Sequence, residues 1–421
     1  MKIKIKKMSI EEVMKKEKPL HKKPKKPSIF FRTLIQLLSI PTILSIHFRY
    51  KIQGMEKIPK EPCLILMNHS SFTDMKIAYK IFYPRPFSIV GTSDALIGKN
   101  WLMRQIGMIP TQKFVTDVTL VKDMIRAVKE NKMSVLMYPE AGYSFDGRAT
   151  VLPDSLGKLC KKMAVPVLTV ITEGAFLRDP LYNNLQIRKT KVSATVKCLL
   201  TQEDVNNKSA DEINALIKKE FSFDGFASQA EKKIEITEPF RADCLHRILY
   251  KCSFCKSEGE TVGKGTELTC KKCGKIYFMD TLGRMKCTNG ETQFSHIPHW
   301  YDWQRECVSQ EIDKGEYCLD VPVDIFVIRD TKALYSVGEG RLRHTVEGFS
   351  LSGCDGKLNY FKPSKSLYTL NADFNWYEIG DVISIGDKDM LYYCFPQKNI
   401  PVAKTRLATE EIYKKIKEEN K

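Results

Sequence analysis

A chain of 421 residues is longer than one ordinary domain and implies two to four folding units. With 43% apolar and 28% charged residues and no excess of Gly or Pro, its composition excludes the disordered and collagen-like classes. The net charge of +17 is unevenly placed: residues 1–28 hold 11 Lys against Glu11, Glu12 and Glu17, whereas residues 241–421 hold 27 Lys and Arg against 26 Asp and Glu. A basic field confined to the N-terminal half is attracted to an anionic membrane surface. Nucleic-acid binders instead concentrate Lys and Arg on the reading element. Thirteen cysteines, an odd number, point to a reducing compartment rather than a disulfide framework.

In chain order, residues 1–28 read as a flexible basic tail. Residues 29–50 follow as an apolar segment interrupted by Arg32, Gln36, Pro41 and His47. A bilayer span needs about 20 apolar residues, more than the uncharged run from Thr33 to Ile46 supplies. No small-residue cleavage site follows it, so it does not read as a signal peptide. The segment is expected to lie in the membrane interface, with Lys22, Lys23, Lys25 and Lys26 meeting anionic head groups. A buried core helix is the alternative.

Residues 51–240 alternate strand-like and helix-like pieces, the pattern of an α/β domain. The run from Cys63 to Met67 predicts a buried strand that ends in Asn68-His69-Ser70-Ser71, where Asn and Ser suit a helix start. Asp74, five residues beyond His69, is placed to fix its tautomer and leave the other ring nitrogen as a general base. A capped helix start whose His and Asp only bond locally fits the same residues. Ala95 to Ile106 predicts a helix, with Leu96, Ile97, Trp101, Leu102 and Ile106 in the core. Gly107 to Lys113 returns as a strand or loop, and Val118 to Lys132 is an amphipathic helix. Ser134 to Met137 is a second buried strand, ending in Tyr138-Pro139-Glu140. Val165 to Ile171 is a third, and Lys191 to Val196 alternates like an edge strand. Ser209 to Glu212 is a capping box opening a helix. Both corners follow buried strands, where α/β ligand sites gather.

His69 and Asp74 have the His-x4-Asp spacing (HX4D) of the glycerolipid acyltransferases, which acylate lysophosphatidate and related lysophospholipids. Tyr138-Pro139-Glu140 resembles that family's aromatic-Pro-Glu-Gly corner, Gly107 to Lys113 its Gly-rich segment ending in a basic residue, and Val165-Pro166-Val167 its Val-Pro-Val strand. The resemblance covers roughly residues 30–220. It implies a mixed sheet flanked by helices, and His69 as the base that deprotonates the acceptor hydroxyl during attack on an acyl thioester. It further implies Asp74 as the group that orients His69, and backbone N–H groups after His69 as an oxyanion site. Asn68, Lys113, Glu140 and Ser144 would bind the acceptor, Lys113 at its phosphate. The chain departs from the family where Ala141, Gly142 and Tyr143 replace Gly, Thr and Arg. Arg148 is the nearest candidate to replace that arginine. Both this loss and a lysine in place of a bidentate guanidinium weaken lysophosphatidate as the acceptor.

Beyond residue 240, Arg241 to Tyr250 predicts a short helix. Cys252-x2-Cys255 and Cys270-x2-Cys273 then supply four thiolates at the spacing of a zinc ribbon, so a structural zinc is expected there. Cys244, Cys287, Cys307 and Cys318 read as free thiols. Ser295 to Ile312 predicts a helix with an aromatic packing face. From Val321 to Phe395 short strands recur, among them Val321 to Ile328 and Leu342 to Phe349, and a helix from Ala408 closes the chain. This arrangement resembles a pleckstrin-homology-like barrel; a plain structural β domain suits the same pattern.

The expected organisation is therefore a tail (1–28), a membrane-associating segment (29–50), an acyltransferase domain (51–240), a zinc ribbon (241–283) and a helix plus β-rich domain (284–421). The expected protein sits on the cytoplasmic face of a membrane, peripheral or monotopic. It takes an acyl-CoA or acyl carrier protein thioester as donor and a lysolipid as acceptor, and needs no nucleic acid. A silent acyltransferase-fold scaffold that only binds lipid is the alternative, and a zinc-ribbon nucleic-acid-binding protein the more distant one.

Overall fold

The computed structural model describes residues 3–113, 117–398 and 400–419. Its strands in chain order begin with β1 (Ile5–Lys7), β2 (Arg49–Gln53), β3 (Leu64–Met67), β4 (Phe87–Thr92), β5 (Met108–Thr111), β6 (Ser134–Met137), β7 (Val167–Glu173) and β8 (Ser193–Leu200). Strands β2 to β8 form one mixed sheet in the order β2-β8-β7-β3-β6-β4-β5. Only β7 and β8 are antiparallel. Helices cover both faces, which is why the central strand β3 is an unbroken apolar run. Its residues alternate between two cores: Ile65 and Met67 face the layer holding Ile77, Ala78 and Ile81, while Leu64 and Leu66 face Met124, Leu156 and Ile213.

Several expectations shift in this domain. Of Lys191 to Val196, the residues from Ser193 on belong to β8, which is not an edge but lies between β7 and β2. The helix expected from Ala95 to Ile106 is broken into a 3-10 turn, Ser93–Leu96, and a helix, Asn100–Gln105. Gly98 takes a left-handed φ of 71° between them. Leu96, Ile97 and Ile106 are buried as expected, but the break rotates Trp101 and Leu102 outward, leaving them 66% and 38% exposed.

The apolar segment forms the helix Ile29–Ser45. At about 1.5 Å per residue, its 17 residues reach roughly 26 Å, and no helix among the described residues is long and apolar enough to cross a membrane. Arg32 faces inward and donates to the carbonyl of Pro84 at 2.6 Å. Phe30, Leu34, Leu37, Leu38 and Leu44 face outward, and Trp101 joins them through an edge-on contact with Phe31 (5.4 Å).

The first residues are not a free tail. Strand β1 pairs in parallel with Leu334–Ser336, and the helix Ile10–Met14 buries Ile10 and Val13 in the core of the C-terminal half. Further along, Arg104 donates to the carbonyl of Lys23 and Asn131 to that of Pro24. Backbone pairing and two buried apolar side chains hold a segment whose charge alone suggested disorder.

The ribbon strands are β9 (Thr261–Lys264), β10 (Glu267–Cys270), β11 (Ile276–Met279) and β12 (Met285–Cys287), an antiparallel sheet in the order β12-β11-β10-β9 that runs past residue 283. The helix expected over Arg241 to Tyr250 is only the 3-10 turn Leu245–Arg247. Cys244 stands at a left-handed φ of 59°, and the N–H groups of Ala242 and Cys244 bond to Gly265 and Gly263 of the ribbon instead of continuing a helix.

The C-terminal half holds the helix Ile297–Asp313, then β13 (Leu319–Val327), β14 (Leu334–Thr345), β15 (Gly348–Gly353), β16 (Leu358–Pro363), β17 (Asn371–Trp376), β18 (Gly380–Gly386), β19 (Leu391–Pro396) and the closing helix Val402–Glu419. These seven strands run in the order β16-β15-β14-β13-β19-β18-β17 with antiparallel neighbours. The single strand expected over Leu342 to Phe349 is instead the end of β14, a turn at Val346 and Glu347, and the start of β15. This domain packs onto the N-terminal α/β domain through Phe145 and Phe374 (4.4 Å) and through Tyr377, which donates to Asp94 at 3.0 Å.

Candidate active site and metal centre

Because β3, β6, β4 and β5 are successive parallel neighbours, the segments that follow them leave the sheet at one end. That end collects the His69 corner after β3, the Glu140 corner after β6 and Lys113 after β5. Asn68 is fully buried and ties its corner to β7: its amide oxygen accepts from the N–H and hydroxyl of Thr172 (2.8 and 3.0 Å), and its amide nitrogen donates to Thr172 O and Ser70 Oγ. Every polar atom of that side chain is thus engaged in holding the corner, and none is left to contact an acceptor.

His69 Nδ1 lies 2.9 Å from Asp74 Oδ2. The same oxygen accepts the N–H groups of Ser70 and Ser71 (2.9 and 3.1 Å), so the loop closes around the carboxylate before the helix Asp74–Phe82 begins. The Asn and Ser side chains expected to cap the helix do not do so; Thr73 is the cap residue and its side chain makes no cap bond. The backbone N–H groups expected as an oxyanion site are already spoken for, those of Ser70 and Ser71 by Asp74 and that of Thr73 by Ser71 Oγ.

Burial lowers the His69 pKa below its ordinary 6.5, the bond and charge of Asp74 oppose that, and the Lys113 charge adds to the lowering. A neutral imidazole at pH 7 follows. With Nδ1–H held by Asp74, the basic lone pair belongs to Nε2, which has no hydrogen-bond partner among the described residues. The ring is stacked between Tyr138 (centroids 4.1 Å) and Tyr143 (3.9 Å), and Tyr143 is stacked in turn on Phe72 (5.3 Å). Tyr143 thus lays an aromatic face beside the histidine.

Glu140 serves differently from the acceptor-binding role expected of it. It is fully buried, and its two oxygens accept the N–H groups of His69 (2.8 Å) and Thr150 (3.0 Å). It therefore braces the corner. Burial pushes its carboxyl up to about 7 against the pull of those two donors. Ala141 takes a left-handed φ of 51°, a conformation that favours glycine. Ser144 donates through its backbone N–H to His69 O (3.3 Å) and through its hydroxyl to Arg148 O (2.6 Å), so it too is a brace.

Arg148 does not reach back to replace the missing arginine. Its guanidinium donates to Asp146 (2.8 Å) and to both oxygens of Asp302 (2.8 and 2.7 Å) on the helix Ile297–Asp313. Lys113 lies at the domain boundary, lining a cleft with residues of β17 and β19. No local pattern points to Asp373 of β17, a buried carboxylate whose pKa burial raises and the Lys113 charge lowers. Only the pairing of two distant domains brings it near.

In the ribbon, Cys252, Cys255, Cys270 and Cys273 point their sulfurs at one spot, all within 4.8 Å of one another. The pairs Cys252–Cys273 and Cys255–Cys270 are each 3.7 Å apart. Each Cys-x2-Cys knuckle is followed by a residue with left-handed φ, Lys256 (64°) and Gly274 (69°), whose N–H closes the turn onto the knuckle's first cysteine. This cluster is able to hold a metal ion.

Comparison with known proteins gives three matches, all in the N-terminal half. Residues 49–173 match the Acyltransferase family model. The 1-acyl-sn-glycerol-3-phosphate acyltransferase of Limnanthes douglasii is 25% identical over 155 residues, which cover 35% of this chain and 53% of that protein. This chain thus spans about half the length of that curated relative. Among solved structures, the 1-acyl-sn-glycerophosphate (LPA) acyltransferase PlsC of Thermotoga maritima is similar over 45% of this chain and 78% of its own, at 17% identity and a TM-score of 0.35.

Proposed function

We propose, on the premise that residues 49–173 form a domain of the glycerolipid acyltransferase family, that this protein transfers a fatty acyl group from an acyl thioester to a hydroxyl of a lysophospholipid or related glycerolipid. The observation that carries the reading is the His69–Asp74 pair, 2.9 Å apart, with Nε2 left without a partner. Nε2 takes the hydroxyl proton as the oxygen attacks the thioester carbonyl, and Asp74 stabilises the imidazolium that forms. The C–S bond then breaks, and the imidazolium returns its proton to the departing thiolate. A thioester is already activated, so the acceptor needs a base and the enzyme needs no acyl intermediate. The test is incubation with acyl-CoA, and separately with acylated carrier protein, and a panel of lysolipids read by mass spectrometry. A diacyl product is expected, and its absence with every acceptor sinks the reading. The stacking of His69 between two tyrosines favours the second reading, a silent lipid-binding scaffold, which the same assay separates.

The outward face of the helix Ile29–Ser45 supports docking on an anionic membrane. Phe30, Leu34, Leu37, Leu38 and Leu44 are exposed along it, and Lys22, Lys23, Lys25 and Lys26 precede it. Burying a leucine stabilises by about 1.5–3 kcal/mol, so replacing both Leu37 and Leu38 by Glu is expected to weaken vesicle binding by about a hundredfold or more. Unchanged flotation with vesicles containing anionic lipid would remove the helix from the docking face.

The four-cysteine cluster fits a structural zinc: tetrahedral Zn–S bonds of about 2.3 Å place sulfurs about 3.8 Å apart, close to the 3.7 Å separations here. Seven antiparallel strands and a closing helix support a pleckstrin-homology-like reading of the β-rich domain.

A further inference from the structure

A cavity of about 550 Å³ opens between the α/β domain and two helices of the C-terminal half, a size that holds a small molecule. One wall is the loop beyond the Glu140 corner, from Phe145 to Val151. Another is made by Tyr301, Asp302 and Arg305 of the helix Ile297–Asp313, with Arg406 and Glu410 of the closing helix. Thr150 lines it too, and its N–H and hydroxyl bond Glu140 Oε1 and O (3.0 and 3.2 Å). An occupant therefore borders the corner that braces His69.

Most of the charge in the lining is already paired. Both oxygens of Asp302 accept from Arg148, which also donates to Asp146. Arg305 gives its two terminal nitrogens to Glu410 and Glu411, and Asp224 bonds His296. Two donors are left over. Arg406 is only 5% exposed; its Nε bonds Glu410 (3.2 Å) and its guanidinium lies over the Phe145 ring (4.5 Å). Its Nη1 and Nη2 have no hydrogen-bond partner among the described residues, and neither has the hydroxyl of the buried Tyr301. Unmade bonds on a buried cation are costly, and the edge of a guanidinium matches two oxygens of an oxyanion.

Beside these donors the sign reverses. Asp146 and Asp302 share the single charge of Arg148, which leaves one negative charge over, and the side chain of Asp302 is 43% exposed. Asp302 and Arg305 stand three residues apart on one helix, so the two ends of the cavity are about 5–6 Å apart. Three arginines against four carboxylates in the lining disfavour a polyanion. A zwitterion meets both ends. An amino acid carries its two charges on one carbon, too close to span a helical turn, whereas an aminoethyl phosphodiester spans it.

We infer that this cavity binds a zwitterionic phosphodiester, its phosphate on Arg406 and Tyr301 and its ammonium at Asp302. The head group of an ethanolamine or choline lysophospholipid carries that chemistry, and so does a free glycerophosphodiester. The inference goes beyond acyl transfer, because binding needs no donor.

The test is isothermal titration of the full-length protein, at physiological salt, with glycerophosphoethanolamine, with glycerophosphate and with ethanolamine. The zwitterion is expected to bind about tenfold or more tighter than either half alone. Tyr301→Phe removes one hydroxyl, and Asp302→Asn keeps an acceptor for Arg148; each is expected to weaken binding by about fivefold or more. Arg406→Gln is expected to weaken it further, and the other two variants serve if this one does not fold. No binding of the zwitterion, equal affinity for its halves, or an affinity unmoved in the folded Tyr301→Phe and Asp302→Asn variants overturns the inference. Turnover with acyl-CoA and lysophosphatidylethanolamine separates the two sources. A soluble diester that raises KM at constant kcat marks the cavity as the seat of the acceptor's head group, and one that changes kcat marks it as a site for the free diester. A protein without acyl transfer still gives the titration its answer, so the two readings fail separately.

Discussion

Replacing His69 by alanine is expected to lower the rate of acyl transfer by about 10²- to 10⁴-fold, the range over which a positioned general base acts. The fold should survive. The bonds that join this corner to its neighbour run through the His69 backbone, its N–H to Glu140 and its carbonyl to Ser144. What is lost is an imidazole between two tyrosine rings, so the unfolding temperature should fall by a few degrees at most while zinc content is unchanged. The pH profile of the parent supplies an independent signature. Burial holds the His69 pKa below 6.5, so kcat/KM is expected to be flat near pH 7 and to fall as pH drops through an inflection below 6.5, where the ring protonates. Activity of the alanine variant within a factor of about two of the parent would leave the imidazole no role as a base.

The second large effect concerns the four-cysteine cluster. Full-length protein is expected to carry one zinc per chain by elemental analysis, and Cys270→Ser to carry none. A zinc ribbon has little core of its own, here chiefly Leu268, Tyr277, Met279 and Met285, and structural zinc typically supplies about 10–16 kcal/mol of folding free energy. Loss of the metal is therefore expected to unfold the ribbon and to loosen its neighbours. The Trp300 indole donates to Lys251 O (3.0 Å), and Gln304 bonds both Lys251 N and Ile248 O (2.9 and 2.7 Å). Those three bonds fasten the helix Ile297–Asp313 to the ribbon's entry. Limited proteolysis should then cut within residues 250–290 of the variant and not of the parent. A metal-free protein that resists protease as well as the parent would show that the thiols need no ion.

What the sequence revealed, and what it hid, divides along physical lines. Strand β3 was legible because both faces are buried, which forces an unbroken apolar run, and the four-cysteine cluster because its paired Cys-x2-Cys spacing stands in the sequence itself. The two corners were legible as motifs, but the tasks of their residues were not. Whether Glu140 meets an acceptor or two backbone N–H groups depends on how β3 and β6 lie together. Trp101 read as core because a helical period was extended across Gly98, where the chain turns left-handed. The turn between β14 and β15 was invisible because Val346 and Glu347 lack the Gly or Asn that marks a tight hairpin. Asp373 and the docking of β1 arise from contacts between segments hundreds of residues apart, which no local pattern announces.

The pairing of β1 with β14 also sets an order of events during synthesis. Ile5, Lys6 and Lys7 are made long before their partners Leu334, Tyr335 and Ser336, which follow the α/β domain and the ribbon in the chain. This strand is thus among the last to find its place, and until β14 is made it must wait unpaired. Its lysines, which keep a short strand soluble and discourage pairing with other chains, suit it to that delay.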